Sequence, residues 1–195
     1  SQAGDSFQST DANNNTLVGY QAGTAITTAD SNAAFGTYAF LSNTTGGDNA
    51  AFGYRSLDAN TTGANNTAVG SNASGGNTTG GGNVAVGQTS LYTNSTGSDN
   101  TALGYQALHA NTTASFNTAV GKNALFSNTT GTRNIAIGNA ALDSNLTGVD
   151  NIAIGYLALD AQTDGDHNIA IGSFALDANT ADFNIDIGYY ALTAN

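Results

Sequence analysis

The stretch from Asn117 to Arg133 reads NTAVGKNALFSNTTGTR, and the residues that follow, Asn134 to Leu142, begin it again as NIAIGNAAL. Working outward from this pair, the opening Asn recurs at Asn15, Asn32, Asn49, Asn66, Asn83, Asn100, Asn117, Asn134, Asn151 and Asn168, every 17 residues without an insertion. An eleventh copy opens one residue early, at Asn184, and each opening Asn is followed four positions later by Gly, from Gly19 to Gly188. The consensus is N-[TI]-A-[VI]-G-x-x-A-L-x-x-N-x-T-G-x-x. Self-similarity at a fixed period marks a repeat architecture, in which each copy is one structural unit stacked on the next. Gly and Asn punctuate the chain every few positions, which leaves no room for a helix of about 10 residues. The period therefore predicts an all-β protein, a parallel β-solenoid (β-roll) of eleven 17-residue coils over residues 15–195, roughly 50 Å long at about 4.8 Å per coil.

Counting the opening Asn as offset 0, one strand is expected near offsets 0 to 4 and another near offsets 6 to 9. Offset 3 is always Val, Ile, Leu or Phe (Val18, Phe35 and Val120 through Ile187), so it is expected to face the core. Offset 1 shares that side by the period of two. It changes from Thr or Ala (Thr16, Ala33, Thr67) to Ile (Ile135, Ile152, Ile169, Ile185), which predicts a more stable C-terminal half. Offset 8, Leu in Leu57, Leu91, Leu108, Leu125, Leu142, Leu159, Leu176 and Leu192, supplies a second wall, and N-x-T-G is a turn in which Asn and Gly adopt positive φ.

If offsets 1 and 3 point inward, offset 2 points outward. It is Ala in nine consecutive coils: Ala34, Ala51, Ala68, Ala85, Ala102, Ala119, Ala136, Ala153 and Ala170. A flat stripe of small residues lets another chain approach closely, so this column is the expected interface of an oligomer, a trimer. Neither end carries a capping element of the kind that bare solenoid coils need. Residues 1–14 are set apart as an N-terminal segment that could complete the C-terminal coil (Asn184 to Asn195) of another subunit and so build head-to-tail fibres. A chain cut from a longer fibre accounts for the ends equally well.

The segments Asn117 to Gly131 and Asn134 to Leu142 resemble the head repeats of trimeric autotransporter adhesins, and more closely the repeat arrays of tail-fibre-like proteins of phages and bacteria. The resemblance covers about residues 13 to 195. It implies interlocked parallel β-rolls in a homotrimeric extracellular or cell-surface fibre, or a virion tail fibre, whose work is structure and attachment. The coil here is 17 residues rather than the roughly 14 usual in adhesin heads, and no coiled-coil stalk, membrane barrel or C-terminal chaperone domain accompanies it.

Composition narrows the chemistry. The chain has a net charge of −11, with three basic residues (Arg55, Lys122, Arg133) against 14 acidic ones, all Asp. That removes the electrostatic footprint of a nucleic-acid partner or an anionic membrane. No apolar run approaches the roughly 20 residues of a membrane-spanning helix, and Ser1 to Asp5 shows no signal-peptide pattern. Only His109 and His167 are present and Cys is absent, so neither a transition-metal cofactor nor a His-based nucleophile is expected, and the chain is read as no enzyme.

Three columns offer other sites. Asp143, Asp160 and Asp177 share offset 9 in consecutive coils, and with Asp164 and Asp166 near by they are a candidate Ca²⁺ site, the alternative being a solvated acidic face. Asn43, Asn60, Asn77, Asn94, Asn111, Asn128 and Asn145 share offset 11 within N-x-[ST] sequons. They are candidate glycosylation sites, or else turn residues whose amides hydrogen-bond along the rod. Tyr20, Tyr38, Tyr54, Tyr105, Tyr156, Tyr189 and Tyr190 occupy the variable offsets 5 and 6, where aromatic rings could contact a glycan or receptor or simply pack against the next coil. The paired Thr columns at offsets 12 and 13 invite an ice-binding reading, although the T-x-T alternation of an outward strand is missing. The expected function is a self-assembling structural fibre or adhesin segment, with a glycan- or receptor-binding head as the alternative.

Overall fold

The computed structural model describes residues 12–177 and 181–192. Eleven three-residue strands follow one another: β1 (Thr16–Val18), β2 (Ala33–Phe35), β3 (Ala50–Phe52), β4 (Thr67–Val69), β5 (Val84–Val86), β6 (Thr101–Leu103), β7 (Thr118–Val120), β8 (Ile135–Ile137), β9 (Ile152–Ile154), β10 (Ile169–Ile171) and β11 (Ile185–Ile187). They form one parallel sheet in sequence order, each strand paired with the next residue for residue, so that Ala34 lies beside Ala51 and Val69 beside Val86. The protein is a parallel β-solenoid with one strand per coil, and no helix occurs among the described residues.

The faces of the strand are the reverse of the sequence expectation. Ala34, Ala51, Ala68, Ala85, Ala102, Ala119, Ala136, Ala153 and Ala170 are buried in the chain's own core, while offsets 1 and 3 point outward. Offset 3 is 52% exposed at Val18, 45% at Leu103 and 38% at Ile137. The reason is the size of the coil. Seventeen residues enclose so narrow a section that it is filled, opposite the strand, by the small residue of offset 7 (Ala107, Ala124) and the large one of offset 8 (Leu108, Leu125, and Phe40 in the second coil), all fully buried. A larger residue at the strand centre would overpack an interior filled to crystal-like density. The Ala column is thus an inner wall and cannot be the intersubunit stripe. The Ile residues of β8 to β11 likewise add no core within one chain, which removes the reason for expecting a more stable C-terminal half.

Among the described residues the expected second strand at offsets 6 to 9 is absent. In its place the backbone turns through left-handed conformations at offsets 6 and 8, as at Asn123 (φ 58°) and Leu125 (φ 52°), and again at offset 16, as at Arg133 (φ 58°). Such conformations cost roughly 1 kcal/mol or more for a non-Gly residue. They are held because each amide bonds the neighbouring coil: Asn123 N donates to Tyr105 O at 3.0 Å and Leu125 N to Ala141 O at 3.0 Å. Gly at offset 4 closes the strand. Gly121 has φ +134°, and a Cβ there would run into the carbonyl oxygen of Gly138.

Two buried asparagine ladders fix the remaining corners. At offset 0 the side-chain oxygen of one coil accepts the backbone amide of the next, Asn117 N to Asn100 Oδ1 at 3.0 Å and Asn134 N to Asn117 Oδ1 at 2.9 Å. At offset 11 the amides chain directly, Asn94 Nδ2 to Asn77 Oδ1 and Asn111 Nδ2 to Asn94 Oδ1, both at 2.8 Å. Both ladders also donate to the carbonyl at offset 14, so that Gly131 O accepts from Asn117 and Asn128. These bonds satisfy buried polar groups that a purely apolar core of this size would leave unpaired.

Candidate interaction surfaces

With the strand centre turned inward, the outward side of the sheet carries two ranks of apolar or hydroxyl side chains, offsets 1 and 3, and neither rank holds a charged residue in any of the eleven strands. Phe35 and Phe52 stack on it with ring centroids 4.9 Å apart. This strip is what the sequence reading missed. The available signal was uniformity: a column that is Ala nine times running is constrained on every side, whereas offset 1 ranges over Ala, Thr, Val and Ile, as an outer position can.

The offset 11 sequons are not glycan acceptors in the folded chain. Asn43, Asn60, Asn77, Asn94, Asn111, Asn128 and Asn145 are all fully buried with their amides engaged in the ladder, so the other sequence reading, amides bonded along the rod, is the one realised. Among the described residues the ladder is broken at one place after Asn43. Gln162 stands at offset 11 after Asn145, and its longer side chain reaches Gly165 O and Asn168 Nδ2 instead, leaving Asn145 Oδ1 without a partner.

The acidic column stands at a half-buried corner. Burial pushes the carboxyls of Asp143 and Asp160 above the ordinary carboxylate range, and the neighbouring carboxylates, Asp160 for Asp143 and Asp177 for Asp160, push them further. One oxygen of Asp143 is buried without a partner. The other two acids do not join the column: Asp166 accepts the amide of Val149 at 2.8 Å, and Asp164 is exposed beside Thr163. Among the described residues no three acidic or histidine side chains are grouped so as to hold a metal ion, so Asp143, Asp160 and Asp177 are stacked but not gathered round a common point. Farther up the same column His109 lies between Tyr92 and Phe126, at 5.5 and 5.1 Å, and burial lowers its pKa.

The tyrosines of offsets 5 and 6 gather into two exposed corners. Tyr20, Tyr38 and Tyr54 meet edge to face at 5.6 and 6.2 Å, and Arg55 lies 5.5 Å from the rings of both Tyr38 and Tyr54. Tyr156, Tyr189 and Tyr190 surround Phe174, with Tyr190 stacked on it at 4.5 Å. Tyr105 is exposed between the two groups. The Thr hydroxyls of offset 12 are committed to backbone carbonyls of the next coil, Thr61 Oγ1 to Thr78 O at 3.0 Å for example, which leaves only offset 13 with a free hydroxyl face and weakens the ice-binding reading.

At the last strand the inner column changes from Ala to Asp186, which is buried and accepts the Leu176 amide at 3.3 Å. The head-to-tail contact was expected between residues 1–14 and the coil Asn184 to Asn195, of which 1–11 and 193–195 lie outside the described residues. Among the described residues no helix is long and apolar enough to cross a membrane. Comparison with protein-family models, characterised proteins and solved structures finds no match to the chain.

Proposed function

We propose that the chain is a non-enzymatic structural rod, a segment of an extracellular fibre or adhesin-like assembly, which associates side by side with other copies through the outward ranks of β1 to β11. The observation that carries this reading is the uncharged strip, apolar but for Thr at four strands, along the whole sheet. Eleven strands at about 4.8 Å and two ranks about 7 Å apart make a strip of roughly 700 Å² once side-chain width is added. Monomers rarely expose an apolar patch larger than about 300–600 Å², whereas a stable interface uses about 800 Å² per partner. The extracellular placement rests on the resemblance of the repeats to adhesin heads and tail-fibre arrays.

A second reading has its own support. The corner formed by Tyr20, Tyr38, Tyr54 and Arg55 offers partly exposed ring faces beside a cation, a surface suited to the apolar face and hydroxyls of a glycan. The first reading is tested by light-scattering mass with negative-stain imaging. An oligomer is expected for the native chain, Ile137→Lys should reduce it to a monomer, and Thr96→Lys, on an exposed corner away from the strip, should leave it intact. A native chain that stays monomeric at all concentrations overturns the reading.

A further inference from the structure

The two ends of the strip differ in bulk, and the difference specifies how a second copy must lie. At offset 1 the N-terminal strands carry Ala33, Ala50 and Thr67, whereas β8 to β11 carry Ile on both ranks. If two copies met in parallel, each strand would face its own equivalent. Four Ile would then meet at every level from β8 to β11, while β2 and β3 would supply two Ala and two Phe and β4 two Thr and two Val. A spacing set by the Ile levels leaves the other levels underpacked, and one set by those levels clashes at the Ile levels. A three-fold parallel bundle multiplies the same imbalance.

Resting on the side-by-side reading, we infer that the strip is covered by a second copy of this chain lying antiparallel, with the two-fold axis along the strand direction at β6. In that arrangement β4 faces β8, β3 faces β9 and β2 faces β10, and each rank faces its own kind. Ala33 then meets Ile169 of the second copy, Ala50 meets Ile152 and Thr67 meets Ile135, small against large at each level. Summed bulk stays nearly even along the roughly 50 Å rod. A closed two-fold contact of this kind is isologous, with one patch serving both partners. Over β1 to β11 the assembly is a double-width plank.

The absence of Cys makes the orientation directly readable by thiol cross-linking. Val69→Cys and Ile137→Cys are surface substitutions on β4 and β8, separated in one chain by four strand spacings, roughly 19 Å. With a short bismaleimide spacer, a mixture of the two variants should give a cross-linked dimer, and each variant alone should give little. Phe52→Cys with Ile154→Cys, on β3 and β9, provides an independent pair should either first variant misfold. Efficient cross-linking of Val69→Cys with itself, or a trimeric mass, overturns the antiparallel pairing while leaving side-by-side association intact. A monomeric mass for the native chain removes both.

Discussion

The coils between Asn32 and Asn145 and those after Asn151 are built to one plan but differ in what they keep constant. In the first group the inner column is Ala at every strand and the offset 11 ladder runs unbroken from Asn43 to Asn145. In the second group Gln162 interrupts that ladder, Asp186 enters the inner column, and Asp160 and Asp177 extend an acidic corner begun by Asp143. The second group is nonetheless the richer in Ile, all of it on the outward ranks of β9 to β11. Stability in so narrow a coil follows from the inward columns, where one residue type must repeat, and large apolar side chains on the outside act only when something covers them.

The largest effect should come from moving the irregularity of one group into the other. Ala119→Asp puts a carboxylate into the inner column at β7, between two paired strands, and should cost at least about 3 kcal/mol in urea denaturation. The reverse change at the last strand, Asp186→Ala, should raise the denaturation midpoint, since the Leu176 amide keeps its bond to Ala191 O. Equal losses from both changes would show that the two groups do not differ as described.

Asn94→Ala breaks the intact ladder at its middle. It strips Asn77 Oδ1 of its ladder donor and Asn111 of one acceptor, and should cost about 2–3 kcal/mol by the same measurement. Its counterpart, Gln162→Asn, supplies the donor that Asn145 Oδ1 lacks and should stabilise by about 1 kcal/mol. No gain in midpoint would mean that this interruption is harmless.

The smallest effect is on pH dependence. The Asp143 and Asp160 carboxyls sit above the ordinary carboxylate range in the folded chain, so it holds their protons more tightly than the unfolded chain does. Their stabilising contribution is full below that range and is lost as pH rises through the folded values. Asp150, lowered by its hydrogen bonds to the Arg133 guanidinium, works in the opposite sense. A chain carrying Asp143→Asn and Asp160→Asn should therefore lose part of the stability that the native chain gains between neutral pH and pH 4. Unchanged slopes would remove the column from the account.

Much of the fold was legible because the signal was periodic. A 17-residue spacing without insertions admits only a stacked coil, and Gly at offset 4, Leu at offset 8 and Asn at offset 11 each repeat often enough to imply a fixed backbone role. The orientation of the strand was not legible, because V-A-V and I-A-I alternate identically whichever side faces in. Hydrophobicity favoured Ile and Val as core, and the misplaced interface and the argument for a more stable C-terminal half both followed from that one choice. The acid column, the sequons and the tyrosines were visible in sequence as columns, but their accessibility depended on which corner of the coil each occupied.

The sequence by itself determined the repeat, the parallel in-register sheet and the exclusion of helices, because these depend only on spacing and on where Gly and Asn permit the chain to turn. The tertiary structure decided which face of each strand is inside, since that depends on the width of the closed coil. A section this narrow keeps Ala at the strand centre and Leu, Phe40 or Asn at its corners, and it turns the Val and Ile of the strands outward.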